Sequence, residues 1–256
     1  MEDLNKKTKI GILIPSISKG IPNCVDYKTT YFYSIFLKSF IKTSCKHFNY
    51  VIYLVVDDDD PIYSDAVQRE KLESFIFLVK NIELKIISSN GISKGHVTQM
   101  WNRAFETAYK EDCVYFYQCG DDIEFMDSGW VSNCVEILQN NNEIGVTGPL
   151  DWGREMFKRK HNPNQKLLLT QTFVSRKHFE FFGFYYPSEI INWWCDDWIT
   201  LVYSRLGLLF VITEYRVINR GGKPRYEPIG AGPRVAEMSG ICDALVDKYK
   251  GNIKSS

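Results

Sequence analysis

Four short apolar runs alternate with helix-like segments in the first half of the chain, and this alternation restricts the folds open to it. The runs cover residues 9–15, 50–56, 82–87 and 113–118. Each is continuously apolar, as in parallel strands that are buried on both faces. The segments between them are long enough for right-handed helical crossovers. The sequence therefore predicts an α/β fold, with a doubly wound, mostly parallel sheet and helices on both faces.

The second half is predicted to extend this sheet and to form a smaller subregion. Strands are predicted at residues 144–149, 166–174 and 208–218, and helices at residues 128–139, 198–206 and 237–249. Neither an internal repeat nor a linker interrupts the chain. We therefore predict one domain over residues 1–256.

Composition and charge argue against several classes of protein. Lys plus Arg and Asp plus Glu each number 31, so the basic excess of a nucleic-acid-binding protein is missing. No apolar run approaches the roughly 20 residues of a transmembrane helix, and residues 1–9 lack the apolar segment of a secretory signal. Seven cysteines without a Cys-x-x-Cys pair indicate free thiols in a reducing compartment. We therefore expect a cytoplasmic location, no transmembrane segment and no nucleic-acid partner.

Acidic residues follow two of the predicted strands. The fourth strand breaks at Gly120 into Asp121 and Asp122, with Glu124 close behind, and the second runs directly into the four aspartates at 57–60. Strand carboxyl ends share one rim of such a sheet, where acidic clusters repel one another unless cations or donors compensate them. Mg²⁺ and similar ions take carboxylate oxygens and complete their shell with water and phosphates. We therefore predict a divalent metal on Asp121, Asp122 and Glu124, with Asp122 as the direct ligand; the alternative is that these acids end a strand and cap the next helix.

A second unusual stretch lies at residues 191–198. It places Trp193, Trp194 and Trp198 around Asp196 and Asp197, just before a predicted helix. An acid in such a place can act as a general base, and exposed tryptophans can stack on a sugar ring. The alternative is a helix whose first turn carries acids that favour its dipole, beside ordinary core tryptophans.

Taken together, these motifs resemble the GT-A glycosyltransferases, most closely the family-2-like members. The resemblance spans roughly residues 9–218 and rests on the acidic pair after three βα units and on the later aromatic-flanked acidic pair. It implies a transferase that uses Mn²⁺ or Mg²⁺ and moves a sugar from a nucleotide-sugar, most simply a UDP-sugar, to a hydroxyl acceptor. It also divides the single domain into a donor- and metal-binding half, 9–127, and an acceptor-binding half with a C-terminal lid or helix, 128–256.

The resemblance and the rim position together assign residues to roles. Asp197 corresponds to the catalytic base, with Asp196 beside it. Donor-binding candidates are Pro15, Ser16, Asp57, Asp58, Asp59, Lys94, Asn102, Gly120 and Asp121, and the loop cations Arg220, Lys223 and Arg225 are candidates to clamp a diphosphate. Acceptor-binding candidates are Trp193, Trp194 and Arg154, the last at the start of a basic loop suited to an acidic acceptor.

Three alternatives stay open at this point. A retaining glycosyltransferase of the same fold would share these motifs, and so would a catalytically silent module that binds a nucleotide or a carbohydrate. A nucleotidyltransferase is disfavoured, because the loop at residues 16–23 contains no arginine. The inverting transferase with an aspartate base is the leading interpretation, since a binding module has no need of a base.

Overall fold

The computed structural model describes residues 7–154, 167–222, 225 and 235–254. Its strands are β1 (Lys9–Ser16), β2 (Asn49–Val56), β3 (Ile82–Ser88), β4 (Tyr115–Gln118), β5 (Ile123–Phe125), β6 (Val146–Asp151), β7 (Thr172–Ser175) and β8 (Leu209–Asn219). Its helices are α1 (Lys38–Thr43), α2 (Ala66–Phe77), α3 (Val97–Lys110), α4 (Trp130–Asn140), α5 (Lys177–Phe182), α6 (Cys195–Ser204) and α7 (Val235–Lys254). A 3-10 turn at Tyr27–Thr29 and a segment of π geometry at Phe32–Leu37 precede α1.

All eight strands join one sheet in the order β3-β2-β1-β4-β7-β6-β8-β5. The four strands of the first half pair in parallel, as do β6 and β8. β7 lies antiparallel between β4 and β6, and the short β5 lies antiparallel on β8. Four of the seven pairings are therefore parallel, which confirms the predicted fold class. The sequence did not predict β5, and the strand predicted at 166–174 is formed only from Thr172 onward.

The sheet is covered on both faces, as continuously apolar strands require. Ile12 and Ile14 of β1 pack into one core with the π segment, α1, α2 and α4. Leu13, between them in sequence, packs into the other core with α3, α5, α6 and α7. Alternate residues of a strand face opposite sides, so each central strand contributes to both cores.

Two further predictions can be compared with the described residues. All seven cysteines are free, as the spacing indicated. In the described part of the chain, none of the helices combines the length and the apolar character that crossing a bilayer requires.

Candidate active site

A cleft of about 710 Å³ opens beyond the carboxyl ends of β1 and β4. It contains both of the acidic pairs that the sequence analysis singled out, one after β4 and the other at the start of α6. The candidate residues that line it are Pro15, Ser16, Gly120, Asp121, Asp122, Arg154, Trp193, Trp194, Asp196, Asp197 and Arg225. The parallel arrangement of β1 and β4 brings their following loops together, because strand carboxyl ends share one rim.

Asp121 is fully buried and is held by residues distant in sequence. Ser16 donates a hydrogen bond from Oγ to its Oδ2 at 2.6 Å, and the Arg225 guanidinium binds both of its oxygens, with Nη1 at 2.9 Å from Oδ2. Nη1 of Arg225 also donates to the Ile17 carbonyl at 2.7 Å. Burial and a bidentate arginine fix the position of this carboxylate, so Asp121 anchors Arg225 at the cleft wall.

Asp122 faces the cleft from between two glycines. A Cβ atom on either Gly120 or Gly221 would overlap its carboxylate oxygens. Burial, and then the neighbouring charge of Asp121, raise the pKa of Asp122 to about 6, while Arg225, whose Nη2 lies 3.9 Å from Oδ2, opposes that rise. The carboxylate of Asp122 is therefore the less compensated member of the pair.

Asp151, at the end of β6, adds a third carboxylate to the cleft, and the sequence analysis did not assign it a role. It is 6% exposed, and burial raises its pKa. Its Oδ1 accepts a hydrogen bond from the Arg154 backbone N–H at 3.2 Å. Its position after a predicted strand was the signal that could have identified it, since Asp121 and Asp122 were found in the same way.

The aspartates after β2 are compensated by the chain itself. Lys19 and Lys94 each lie 2.8 Å from Oδ2 of Asp59, and their hydrogen bonds hold the pKa of Asp59 at about 2. Asp60 is fully buried and accepts hydrogen bonds from the Ser18 backbone and hydroxyl and from two following backbone N–H groups. Asp60 is therefore a buried acid whose charge is met by donors within the chain. Because residues of the chain itself offset the negative charge after β2, the two acidic clusters can share one rim without a bound metal.

Asp57 and Asp58 do not line the cleft but a smaller pocket of about 200 Å³, together with Arg69 and Ser88. Asp57 is 7% exposed, and its Oδ1 accepts a hydrogen bond from the Ser89 hydroxyl at 2.8 Å. Of the three donor-binding candidates after β2, Asp57 and Asp58 thus belong to a separate pocket on the same rim, and Asp59 lines neither pocket.

Four further candidates that the structure describes do not line the cleft: Lys94, Asn102, Glu124 and Arg220. The Asn102 amide joins α3 to the segment before α6: Oδ1 accepts from the backbone N–H groups of Tyr185 and Tyr186, and Nδ2 donates to the Tyr186 carbonyl. Glu124, predicted as a metal ligand, instead pairs with Arg220 at 2.7 Å. Lys94 is engaged by Asp59, and Lys223 lies outside the described residues, as does most of the basic loop after Arg154.

The second acidic pair occupies the first turn of α6. Trp194 precedes the helix with φ +76°, a left-handed conformation that is costly for a residue with a large side chain. The segment before it is tied to α3, because Thr98 donates from its backbone N–H to Ile191 at 3.2 Å and from its hydroxyl to Ile190. This arrangement brings Asp196 and Asp197 to the cleft and leaves Trp193 44% exposed beside them.

Comparison with known proteins finds likeness in fold only. Neither a protein-family profile nor a curated protein sequence matches the chain. Among solved structures, that of S. aureus TarS superimposes with a TM-score of 0.53 at 10% sequence identity. The match covers 82% of this chain and 36% of TarS, so the chain spans about a third of that protein. The match therefore shows that this chain shares its α/β fold with part of TarS.

Proposed function

We propose that the chain is a GT-A glycosyltransferase of the family-2-like type, which moves a sugar from a UDP-sugar to a hydroxyl acceptor. One observation carries this proposal: a single cleft holds two acidic pairs that come from separate parts of the fold. Asp121 and Asp122 follow β4, whereas Asp196 and Asp197 begin α6. Sugar transfer needs groups that stabilise the negative charge of the leaving diphosphate and a base that deprotonates the acceptor, and the cleft offers groups for both.

Asp197 is proposed as the general base that takes the proton from the acceptor hydroxyl. It lines the cleft and is partly exposed, so a hydroxyl group can reach it. With the activated oxygen on one side of the sugar and the diphosphate leaving from the other, a single displacement inverts the anomeric carbon. Trp193, in the same cleft, offers an aromatic face to the apolar side of a sugar ring.

The residues present fit a divalent metal ion, but with fewer protein ligands than the sequence suggested. Asp121 is occupied by Arg225 and Ser16, and Glu124 by Arg220. No group of three metal-ligating side chains occurs among the described residues. One carboxylate, from Asp122, completed by water and phosphate oxygens, suits Mg²⁺ or Mn²⁺. When bound there, the ion would offset charge that develops on the leaving diphosphate.

Arg225 is proposed to supply the second positive charge. Asp121 and the Ile17 carbonyl hold its guanidinium at the cleft wall. A planar guanidinium is always charged and binds phosphate oxygens well. Asp121 is then a positioning residue, and Arg225 is the group that meets the diphosphate.

The test is release of UDP from UDP-glucose, UDP-galactose and UDP-N-acetylglucosamine, with and without Mn²⁺. Asp122→Asn and Asp197→Asn should each reduce turnover about 100-fold or more, as expected when a charge-stabilising group or a general base is lost. Glu124→Gln is the matched control, because Glu124 lies in the same segment but does not line the cleft. Equal losses in all three variants would contradict the assignment.

A silent nucleotide-binding module is the second candidate, and the Arg225–Asp121 pair favours it. An acidic pair that the chain itself already compensates can bind a diphosphate through Arg225 without any catalytic role. Calorimetry separates the two functions: a module binds UDP with no turnover of any UDP-sugar. In that case Asp197→Asn leaves UDP affinity unchanged.

A further inference from the structure

The cleft has a polar wall that the proposed mechanism does not use. Gln171 and Thr170 form part of its lining. Just beyond them, Thr172 of β7 pairs with Gln118 of β4 in antiparallel register. Residues before Thr172 therefore continue beside those after Gln118, which lead to Gly120 and the acidic pair. The wall thus lies alongside the site proposed for the diphosphate.

Several polar atoms of this wall are buried and unpaired. Gln171 is only 3% exposed, yet its Oε1 has no hydrogen-bond partner among the described residues. The same holds, within the described part of the chain, for Oγ1 of Thr170 and Nη1 of Arg154, which line the same cleft. Buried polar atoms are almost always hydrogen-bonded in folded proteins, so these atoms indicate a ligand group or a water molecule. An amide oxygen accepts only, so its partner has to be a donor.

The backbone that carries Gln171 is held firmly. The hydroxyl of its neighbour Thr172 donates to Gln118 Oε1 at 3.1 Å. Tyr185, which is fully buried, donates from its hydroxyl to the Thr172 carbonyl at 3.0 Å. A recognition group is more selective when the element that carries it is rigid. The backbone at Gln171 is therefore held as rigidly as is expected for a residue that recognises a substrate.

We infer that Gln171 is a specificity-determining residue whose Oε1 accepts a hydrogen bond from a hydroxyl group of the transferred sugar. Thr170 offers a second polar contact on the same wall. The inference rests on the proposed function, because it places the donor sugar beside Asp122. A hydroxyl group fits, since it can donate to Oε1, whereas an ionised carboxylate or a phosphate dianion cannot. Trp193 adds the apolar surface that a sugar ring also needs.

Gln171→Leu tests this, because leucine keeps much of the side-chain volume and removes the acceptor. The unpaired oxygen loses no partner, so the melting temperature of the variant should equal or exceed that of the unmodified protein. Calorimetry with UDP and with the three UDP-sugars named above should show UDP affinity within twofold. Affinity for the best UDP-sugar should fall about tenfold, the effect of one lost hydrogen bond to a buried acceptor. Gln139→Leu, a substitution at an exposed position of α4, is the control and should alter neither the UDP affinity nor the UDP-sugar affinity.

The outcomes separate this inference from the proposed function. If Gln171→Leu binds the UDP-sugars as tightly as the unmodified protein, the inference is overturned while the transferase proposal stands. Equal weakening of UDP and UDP-sugar also overturns it, because Gln171 then acts on the nucleotide or on the fold. If no nucleotide binds, titration with free glucose, galactose and N-acetylglucosamine decides. Binding that Gln171→Leu abolishes supports the hydroxyl contact although the transferase proposal fails, and absence of binding overturns both.

Discussion

Replacing Arg225 with alanine leaves Asp121 buried without its cation. The Arg225 side chain is 15% exposed and that of Asp121 only 1%, so the ion pair is largely shielded from water in the folded protein. Two hydrogen bonds between charged groups are lost, each worth about 1.5–3 kcal/mol, while the bond from Ser16 remains. We therefore expect Arg225→Ala to lower the free energy of unfolding by about 3–5 kcal/mol, the range seen when a buried ion pair loses one partner. Urea denaturation followed by circular dichroism measures it.

The matched control is Arg220→Ala. Arg220 pairs with Glu124 at a similar distance, 2.7 Å, but their side chains are 48% and 35% exposed. Exposed ion pairs contribute little, so the control should lose at most about 1 kcal/mol. Adding Asp121→Asn to Arg225→Ala should restore part of the loss, because the buried group is then neutral. Similar losses for Arg225→Ala and Arg220→Ala would refute the reasoning, and recovery of Arg225→Ala with millimolar Mn²⁺ would show that a metal can occupy the arginine position.

Three further predictions concern the glycine beside Asp122, the amide of Asn102 and the buried histidine. Gly221→Ala should displace the Asp122 carboxylate and reduce UDP-sugar turnover at least tenfold in the assay above; Gly240→Ala, on α7 with no atom near its added Cβ, should not. Asn102→Ala should lower the free energy of unfolding in urea by about 2–3 kcal/mol, because three hydrogen bonds to backbone groups are lost. UDP affinity measured by calorimetry should stay unchanged. A loss of UDP affinity without a loss of stability would instead support the donor-binding role of Asn102. Burial lowers the pKa of His178 from 6.5 to about 4, so between these pH values the unfolded chain binds a proton that the folded chain does not. The free energy of unfolding should therefore decrease as the pH falls from 6.5 to 4, and His178 should account for about 3 kcal/mol of that decrease. His178→Gln should remove this part of the pH dependence in urea unfolding between pH 7 and 4, and the exposed His47→Gln should not; identical profiles would disprove it.

The sequence predicted the sheet well where burial alone determines structure. Continuously apolar runs imply strands covered on both faces, and β1 contributes Ile12 to one core and Leu13 to the other. It failed for β5, because three residues are too few for a periodic pattern. It also placed the start of β7 too early. The run before Thr172 is as apolar as the strand, and only pairing with β4 and β6 determines where the strand begins.

The candidate site was predictable to the extent that it follows strand ends. Asp121 and Asp122 were found in this way, and Asp151 could have been. What sequence could not show is how each acid is compensated, since Arg225 lies 104 residues from Asp121. The Asn102 amide is likewise used by backbone groups 83 and 84 residues away. Partners at such separations depend on the complete fold and leave no local pattern.

Adjacent carboxylates in this protein are not equivalent, and burial explains the difference. The Asp121 side chain is 1% exposed and binds Arg225, whereas that of Asp122 is 17% exposed and faces the cleft. After β2, Asp60 is fully buried with four donors, while Asp58 is exposed. In both clusters a buried acid is held by partners within the chain, while another acid of the same cluster stays closer to the surface. A ligand that needs negative charge at this rim is therefore expected to meet the less buried acids, of which Asp122 lines the main cleft.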